Sequence, residues 1–199
     1  MTIDIALALV LFAFASSITP GPNNVMLLAS GANFGLRRTL PHMFGISGGH
    51  ALMVAVLGLG LMGLFATVPW LRPALTVASV VYLLWLAWKI ATAAPPAEGG
   101  AAGRPLTLWQ AAAFQWVNPK AWYMGIYAQT NFASDGSVWA ALAVAGIFAI
   151  INLPSVAVWA WGGTQVKRWL AAPGRLKAFN VTMALILVAS LGPMLIPPR

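Results

Sequence analysis

The sequence has no cysteine and only three acidic residues, Asp4, Glu98 and Asp135. The first absence excludes thiol catalysis, thiolate metal sites and a disulfide-stapled secreted scaffold. The second, with only His42 and His50 as imidazoles, leaves too few ligands for a metal centre. Charged residues of both signs make up 7% of the chain, where a soluble domain carries about 25%. That excludes a soluble globular domain and a disordered chain. No phosphate-binding loop or nucleotide fingerprint occurs, so neither an ATP-driven pump nor a cofactor is expected. The net charge of +8 reflects scarce acids more than its eleven bases. It belongs to loops at the cytoplasmic face of a membrane, and no nucleic-acid partner is expected.

What is abundant is apolar. Sixty per cent of the 199 residues are hydrophobic and the mean hydropathy is +0.83, enough for about six spans of ~20 residues each. Apolar segments fall near residues 5–30, 40–66, 71–92, 107–131, 138–163 and 178–196. The fold class expected is an all-α integral membrane protein with six transmembrane helices. Ala13-Phe14-Ala15 resembles a leader cleavage site, but no Lys or Arg precedes it and the apolar pattern resumes after Asn24. The first segment is therefore expected to stay as a span.

Loops one, three and five carry Arg37, Arg38, Lys89, Arg104, Lys167, Arg168, Arg175 and Lys177, against Arg72 and Arg199 on the other side. This asymmetry places the odd loops in the cytoplasm and both termini outside. Trp70 and Trp139 then fall at the outer interface, and Trp88, Trp109 and Trp169 at the inner one. His42 falls near the inner interface, where solvation is expected. Lys89, beside Trp88 at a helix end, reads as an interface anchor.

Residues 93–106, rich in Pro and Gly, read as a cytoplasmic linker between a first three-helix unit, 1–92, and a second, 107–199, in one membrane domain. Pro20 and Pro119 interrupt the first and fourth spans 99 residues apart, and Trp70-Leu71 recurs at the same offset as Trp169-Leu170. Three spans is an odd number, so the second unit enters the membrane inverted. Interrupted helices at matching positions of inverted repeats point to a transport site.

The first interruption reads Thr19-Pro20-Gly21-Pro22-Asn23-Asn24. Pro20 cannot donate to the carbonyl of Ser16, nor Pro22 to that of Ile18, so both carbonyls need other partners. Thr19 or Asn23 can cap the following half-helix, whose free N–H groups attract an anion. Acceptors for an ammonium beside donors for a carboxylate suit the two ends of an amino acid. A structural kink satisfied by neighbouring helices is the plain alternative. In the second interruption, Pro119 frees the carbonyl of Gln115 and Asn118 offers an amide. Lys120 lies deep in a span, where an unpaired ammonium costs at least about 2.5 kcal/mol. It is expected to hold a substrate carboxylate or to bond freed carbonyls.

These residues resemble the signature of a known family. Thr-Pro-Gly-Pro-Asn in the first span and Asn118-Pro119-Lys120-Ala121 in the fourth are similar to motifs of the LysE/RhtB amino-acid exporters. Tyr82-Leu83, the run 86–92 and Phe114-Gln115 look most like the branch exporting cysteine and O-acetylserine. The resemblance covers essentially the whole chain. It implies export of small amino acids or their derivatives, with homoserine or threonine as the other option, coupled to protons moving inward across an inner membrane. Many members carry an acid in the fifth helix; Asn152 and Pro154 occupy that region here.

His50, about midway through the second span, is expected to face a cavity or a partner. Imidazole titrates near 6.5 and an amine near 10.4, so His50 is the better proton carrier and Lys120 the better substrate ligand. Gly45 and Gly49, four apart, suit close helix packing; Gly49 and Asn152 are further pore-lining candidates. Gly45-Ile46-Ser47-Gly48-Gly49 matches the serine-hydrolase pattern G-x-S-x-G. However, His50 shares the helix with Ser47 and no acid lies within a span. An enzyme is not expected, and an uncoupled channel or scaffold is the stronger alternative. The expected partners are a small amino acid, protons and the lipid bilayer, with a homo-oligomer as an option.

Overall fold

In the computed structural model, residues 1–61, 67–68, 70–92, 104–133, 136–170, 174–189 and 191 are described. Most of the linker expected over 93–106, with Glu98, lies outside these residues, as do Asp135, Arg199 and the end of the last expected span. The described residues contain helices and no strand. In chain order the helices are α1 (Ile3–Ile18), α2 (Pro22–Phe34), α3 (Leu36–Val56), α4 (Leu71–Ala91), α5 (Leu108–Phe114), α6 (Pro119–Phe132), α7 (Val138–Leu170) and α8 (Arg175–Ala189).

Leu36–Gly60, Pro73–Ala91 and Val138–Val166 are each long and apolar enough to cross a bilayer, and α1 with α2 forms a fourth such stretch bent by 54°. The pieces α5 and α6 have 7 and 14 residues, each short of a ~20-residue crossing, and the described part of α8 has 15. Leu11, Leu52, Val77, Val81, Ile150 and Val158 are each more than half exposed. So much apolar surface is foreign to a soluble monomer and suits hydrocarbon. Trp70, Trp88, Trp109, Trp139 and Trp169 are all exposed. Each sits at or beside a helix end, as interfacial anchors do.

The loops are shorter than the sequence suggests. Only Gly35 separates α2 from α3, with a φ of 78° that favours glycine. Its N–H bonds the Gly31 carbonyl at 2.9 Å. Arg37 and Arg38, expected in a loop, therefore ride on the first turn of α3, where Arg38 lies 5.5 Å from the Phe34 ring. Likewise α7 runs 33 residues, to Leu170, and takes Lys167 and Arg168 into its last turns. At 1.5 Å per residue that is about 50 Å, well beyond a ~30 Å hydrocarbon core.

Helix α7 is the hub, packing against α1, α2 and α3; α3 also packs on α5, and α4 on α8. The α2–α7 contact depends on Gly31 and Gly163. A Cβ on Gly31 would overlap the Ala160 carbonyl, and one on Gly163 the Leu28 carbonyl. The same close approach operates between α3 and α5, where a Cβ on Gly45 would strike Leu108 and one on Gly49 would sit 2.5 Å from Ala112 Cα. The end of α3 opens into a π turn, Leu57–Leu61. There the buried Gln129 amide donates to the carbonyls of Val54 (2.8 Å) and Ala141 (3.1 Å), tying α3, α6 and α7 together.

Candidate functional site

The break between α1 and α2 leaves a run of carbonyls without ordinary helical donors, because Pro20 and Pro22 carry no N–H. Every one of them finds a partner. The Ser16 carbonyl accepts from the Thr19 hydroxyl (3.0 Å). That of Ser17 accepts from the Asn24 amide (2.8 Å), and that of Ile18 from the Trp159 indole of α7 (2.9 Å). The Thr19 carbonyl accepts from both Asn24 (2.7 Å) and the Lys120 ammonium (2.7 Å). Lys120 Nζ also donates to Thr19 Oγ1 (2.9 Å) and to the Pro20 carbonyl (3.2 Å).

Thus of the two roles expected for Lys120, bonding freed carbonyls is the one it holds in this conformation. Its stem crosses Gly21, where a Cβ would lie 2.7 Å from Lys120 Cδ and would push the stem aside. The expected capping differs. Gly21 is the N-cap of α2 and no side chain caps it, because Thr19 turns back to Ser16 and Asn23 reaches across to α5's end.

The second break mirrors the first more simply. A 3-10 turn, Gln115–Val117, follows α5, and Asn118 caps α6 by accepting from the Lys120 N–H at 3.2 Å. The Gln115 carbonyl, freed by Pro119, accepts from the Asn118 N–H at 3.3 Å. The two breaks are joined by a reciprocal amide pair. Asn23 Nδ2 donates to Gln115 Oε1 (2.9 Å), and Gln115 Nε2 donates to Asn23 Oδ1 (3.1 Å). Gln115 is fully buried and spends its second N–H on Ala111, so this pair is a closed unit.

Between the breaks lies a polar pocket of about 20 Å³, walled by Gly21, Asn23, Asn24, His50, Asn118, Lys120 and Asn152, among others. That space suits one water, not an amino acid. Asn24 Oδ1 and both His50 ring nitrogens are buried without a hydrogen-bond partner among the described residues. Each such group costs roughly 1–3 kcal/mol. The His50 ring rests edge-on against Phe148, centroids 5.1 Å apart. Asn152 bridges α1 and α3: its amide donates to Ser17 Oγ (3.2 Å), and its carbonyl accepts from Ser47 Oγ (3.0 Å). The hydroxyl of the G-x-S-x-G stretch is therefore given to Asn152 and not to His50.

Of the sequence-derived candidates, Gly21, Asn23, Asn24, His50, Asn118, Lys120 and Asn152 meet at this pocket. Thr19, Pro20 and Gln115 reach it through their bonds to Lys120 and Asn23. Pro22 and Pro119 act at the first positions of α2 and α6. Gly49 is set apart from the pocket, against Ala112. Sequence reasoning passed over Ser17 and Trp159. Both act on groups that become neighbours only when α7 packs on α1. His42, expected to be solvated, is 2% exposed and buried between helices, with neither ring nitrogen bonded among the described residues.

A family model described as "LysE type translocator" matches residues 14–195. A cysteine/O-acetylserine efflux protein of Escherichia coli (strain K12) and another of Shigella sonnei (strain Ss046) are each 32% identical over 181 residues. Each alignment covers 89% of this chain and 90% of the relative. No solved structure matches significantly. With a match over nearly its whole length, the chain belongs to the LysE translocator family.

Proposed function

We propose that this chain is an inner-membrane secondary transporter that exports small amino acids of the cysteine/O-acetylserine kind in exchange for protons. The observation that carries the reading is the latch of Lys120 Nζ on the Thr19 and Pro20 carbonyls. An ammonium already sits on acceptors that suit the ammonium of an amino acid. Substrate binding then exchanges like for like. The incoming ammonium takes the two carbonyls, and the displaced Lys120 ammonium pairs with the substrate carboxylate. In the empty carrier Lys120 stands in for the substrate, which spares a low-dielectric pocket from an unpaired charge. The ~20 Å³ pocket must widen to admit an amino acid, as rocking of one helix bundle against the other would do.

In this reading the six spans are α1–α2, α3 and α4, then α5–α6, α7 and α8, as two inverted repeats with both termini outside. A reporter fused after Arg199 is then extracytoplasmic and one inserted near Gly100 cytoplasmic; the reverse result overturns the orientation. His50 is the proton carrier, supported by its unpartnered nitrogens in the pocket wall and by the absence of any carboxylate among the pocket's described residues. Everted vesicles with an acidic interior should accumulate O-acetylserine from a panel of small amino acids. His50→Gln should lower that accumulation to simple equilibration, while exchange at equal concentrations persists. Full pH-driven accumulation by His50→Gln would move the proton to another group. No accumulation of any amino acid by the wild type would sink the export reading itself.

A further inference from the structure

A second cavity, of about 240 Å³, lies where the C-terminal half of α2, the start of α3 and the end of α4 meet residues 104–106. It has room for a whole small amino acid, unlike the pocket between the breaks. Its walls combine apolar Met26 and Leu86 with Asn33 and His42, and Lys89 and Arg104 stand at its exposed edge. No acidic residue is among its described lining. His42 is buried there, and neither of its nitrogens has a partner among the described residues. The Lys89 ammonium lies 4.6 Å from the Trp85 ring centroid. A rim of two cations, a buried imidazole and an apolar wall together suit a small anionic group on a weakly polar body.

Helix α2 connects this cavity to the centre. Met26, Ala29, Ser30 and Asn33 line it from one helical face, the spacing of three and four that a helix imposes. Asn23, three residues before Met26, continues that face and carries the amide pair with Gln115. From Asn33 to Asn23 is about 15 Å along the axis. Phe114, the residue before Gln115, packs in one apolar cluster with Met26, Ala29 and Leu86. The Asn23–Gln115 pair and this cluster therefore stand between the cavity and the central pocket.

We propose that this cavity is a separate binding site for the α-carboxylate of the transported amino acid. Lys89 and Arg104 draw the carboxylate in from the cytoplasm, His42 offers a hydrogen bond at depth, and the Asn23–Gln115 pair opens to pass the substrate along α2. The identity of the ligand and the face it comes from rest on the export reading above; the anionic character of the site rests on the cavity alone.

The absence of native cysteine makes Ser30→Cys the sole thiol of the chain, with Ala29→Cys as a second reporter if the first fails to insert. In everted vesicles, its reaction with a negatively charged methanethiosulfonate is compared with that of a positively charged one. Both rates are normalised to a free thiol in solution. The anionic reagent should be favoured by about ten-fold or more, as a focused positive potential provides. The preference should collapse in the added background of Lys89→Gln and Arg104→Gln. O-Acetylserine should slow the reaction and its carboxamide should not. Equal normalised rates, or equal protection by acid and amide, would overturn the proposal. So would protection that appears only when phosphatidylglycerol is added to zwitterionic proteoliposomes, which would assign the cavity to a lipid phosphate. The readout is a thiol reaction and not flux, so failure here is distinguishable from failure of the export reading.

Discussion

Replacement of Lys120 by Met should abolish both net efflux and one-for-one exchange while the protein still inserts and purifies. Lys120 Nζ makes three bonds, to Thr19 O, Thr19 Oγ1 and Pro20 O. Hydrogen bonds from a charged donor are worth about 1.5–3 kcal/mol each. On substrate binding the same ammonium becomes the partner of the carboxylate. A variant without it must hold a carboxylate in a low-dielectric pocket with no countercharge. A loss of 3 kcal/mol or more in transition-state stabilisation corresponds to roughly 100-fold or more in rate. Exchange by purified protein in proteoliposomes, corrected for the amount reconstituted, measures this directly. Lys120→Arg should fall between the two, because a planar guanidinium keeps the charge but cannot aim its donors at three converging oxygens as a rotating ammonium does. Wild-type exchange in Lys120→Met would reduce the latch to a structural brace.

Asn24→Leu should produce the largest loss of stability among the site variants. The Asn24 side chain is 3% exposed, and its amide satisfies both the Ser17 and Thr19 carbonyls across the break. Leucine keeps the branched shape, though it is bulkier, and leaves the Ser17 carbonyl bare and the Thr19 carbonyl with Lys120 alone. Stranding a buried polar group costs about 1–3 kcal/mol, which is the loss expected from the Ser17 carbonyl, since the Thr19 carbonyl keeps its bond from Lys120. Heating the detergent-solubilised variant and following its monodisperse fraction by size exclusion reads the shift. An apparent midpoint equal to wild type would mean that the break does not rely on Asn24. Pro20→Ala is the informative contrast. It adds a donor beneath the Ser16 carbonyl, which Thr19 already serves, so it should cost little stability and act on transport by straightening the α1–α2 bend.

Much of the site could be read from residue type because the constraint was local. A proline names the carbonyl it fails to serve, four residues back, so Ser16, Ile18 and Gln115 were identifiable from the sequence. The donor that answers is another matter. Lys120, 101 residues from Thr19, was expected to bond freed carbonyls because the two interruptions match between the repeats. Trp159 reaches Ile18 from 141 residues away, and nothing in either segment marks the other as its neighbour. Depth along a helix could be estimated by counting, which brought His50 to the pocket, but the side it faces depends on the packing of α3 between α5 and α7. The same packing turned Gly49 onto Ala112 and drew His42 inward under α2. Charge near a helix end suggested loops, yet a single glycine at 35 makes the whole α2–α3 turn, so Arg37 and Arg38 became helical.

The central claim is that the two broken segments form one carrier site for a small amino acid. Counterflow by the purified protein in proteoliposomes tests it most directly. Vesicles loaded with unlabelled O-acetylserine should take up labelled O-acetylserine saturably, transiently above equilibrium, with preference for the L form, and far faster than unloaded vesicles. Labelled uptake that rises linearly with concentration and is indifferent to what lies inside would contradict the claim and leave a passive pore.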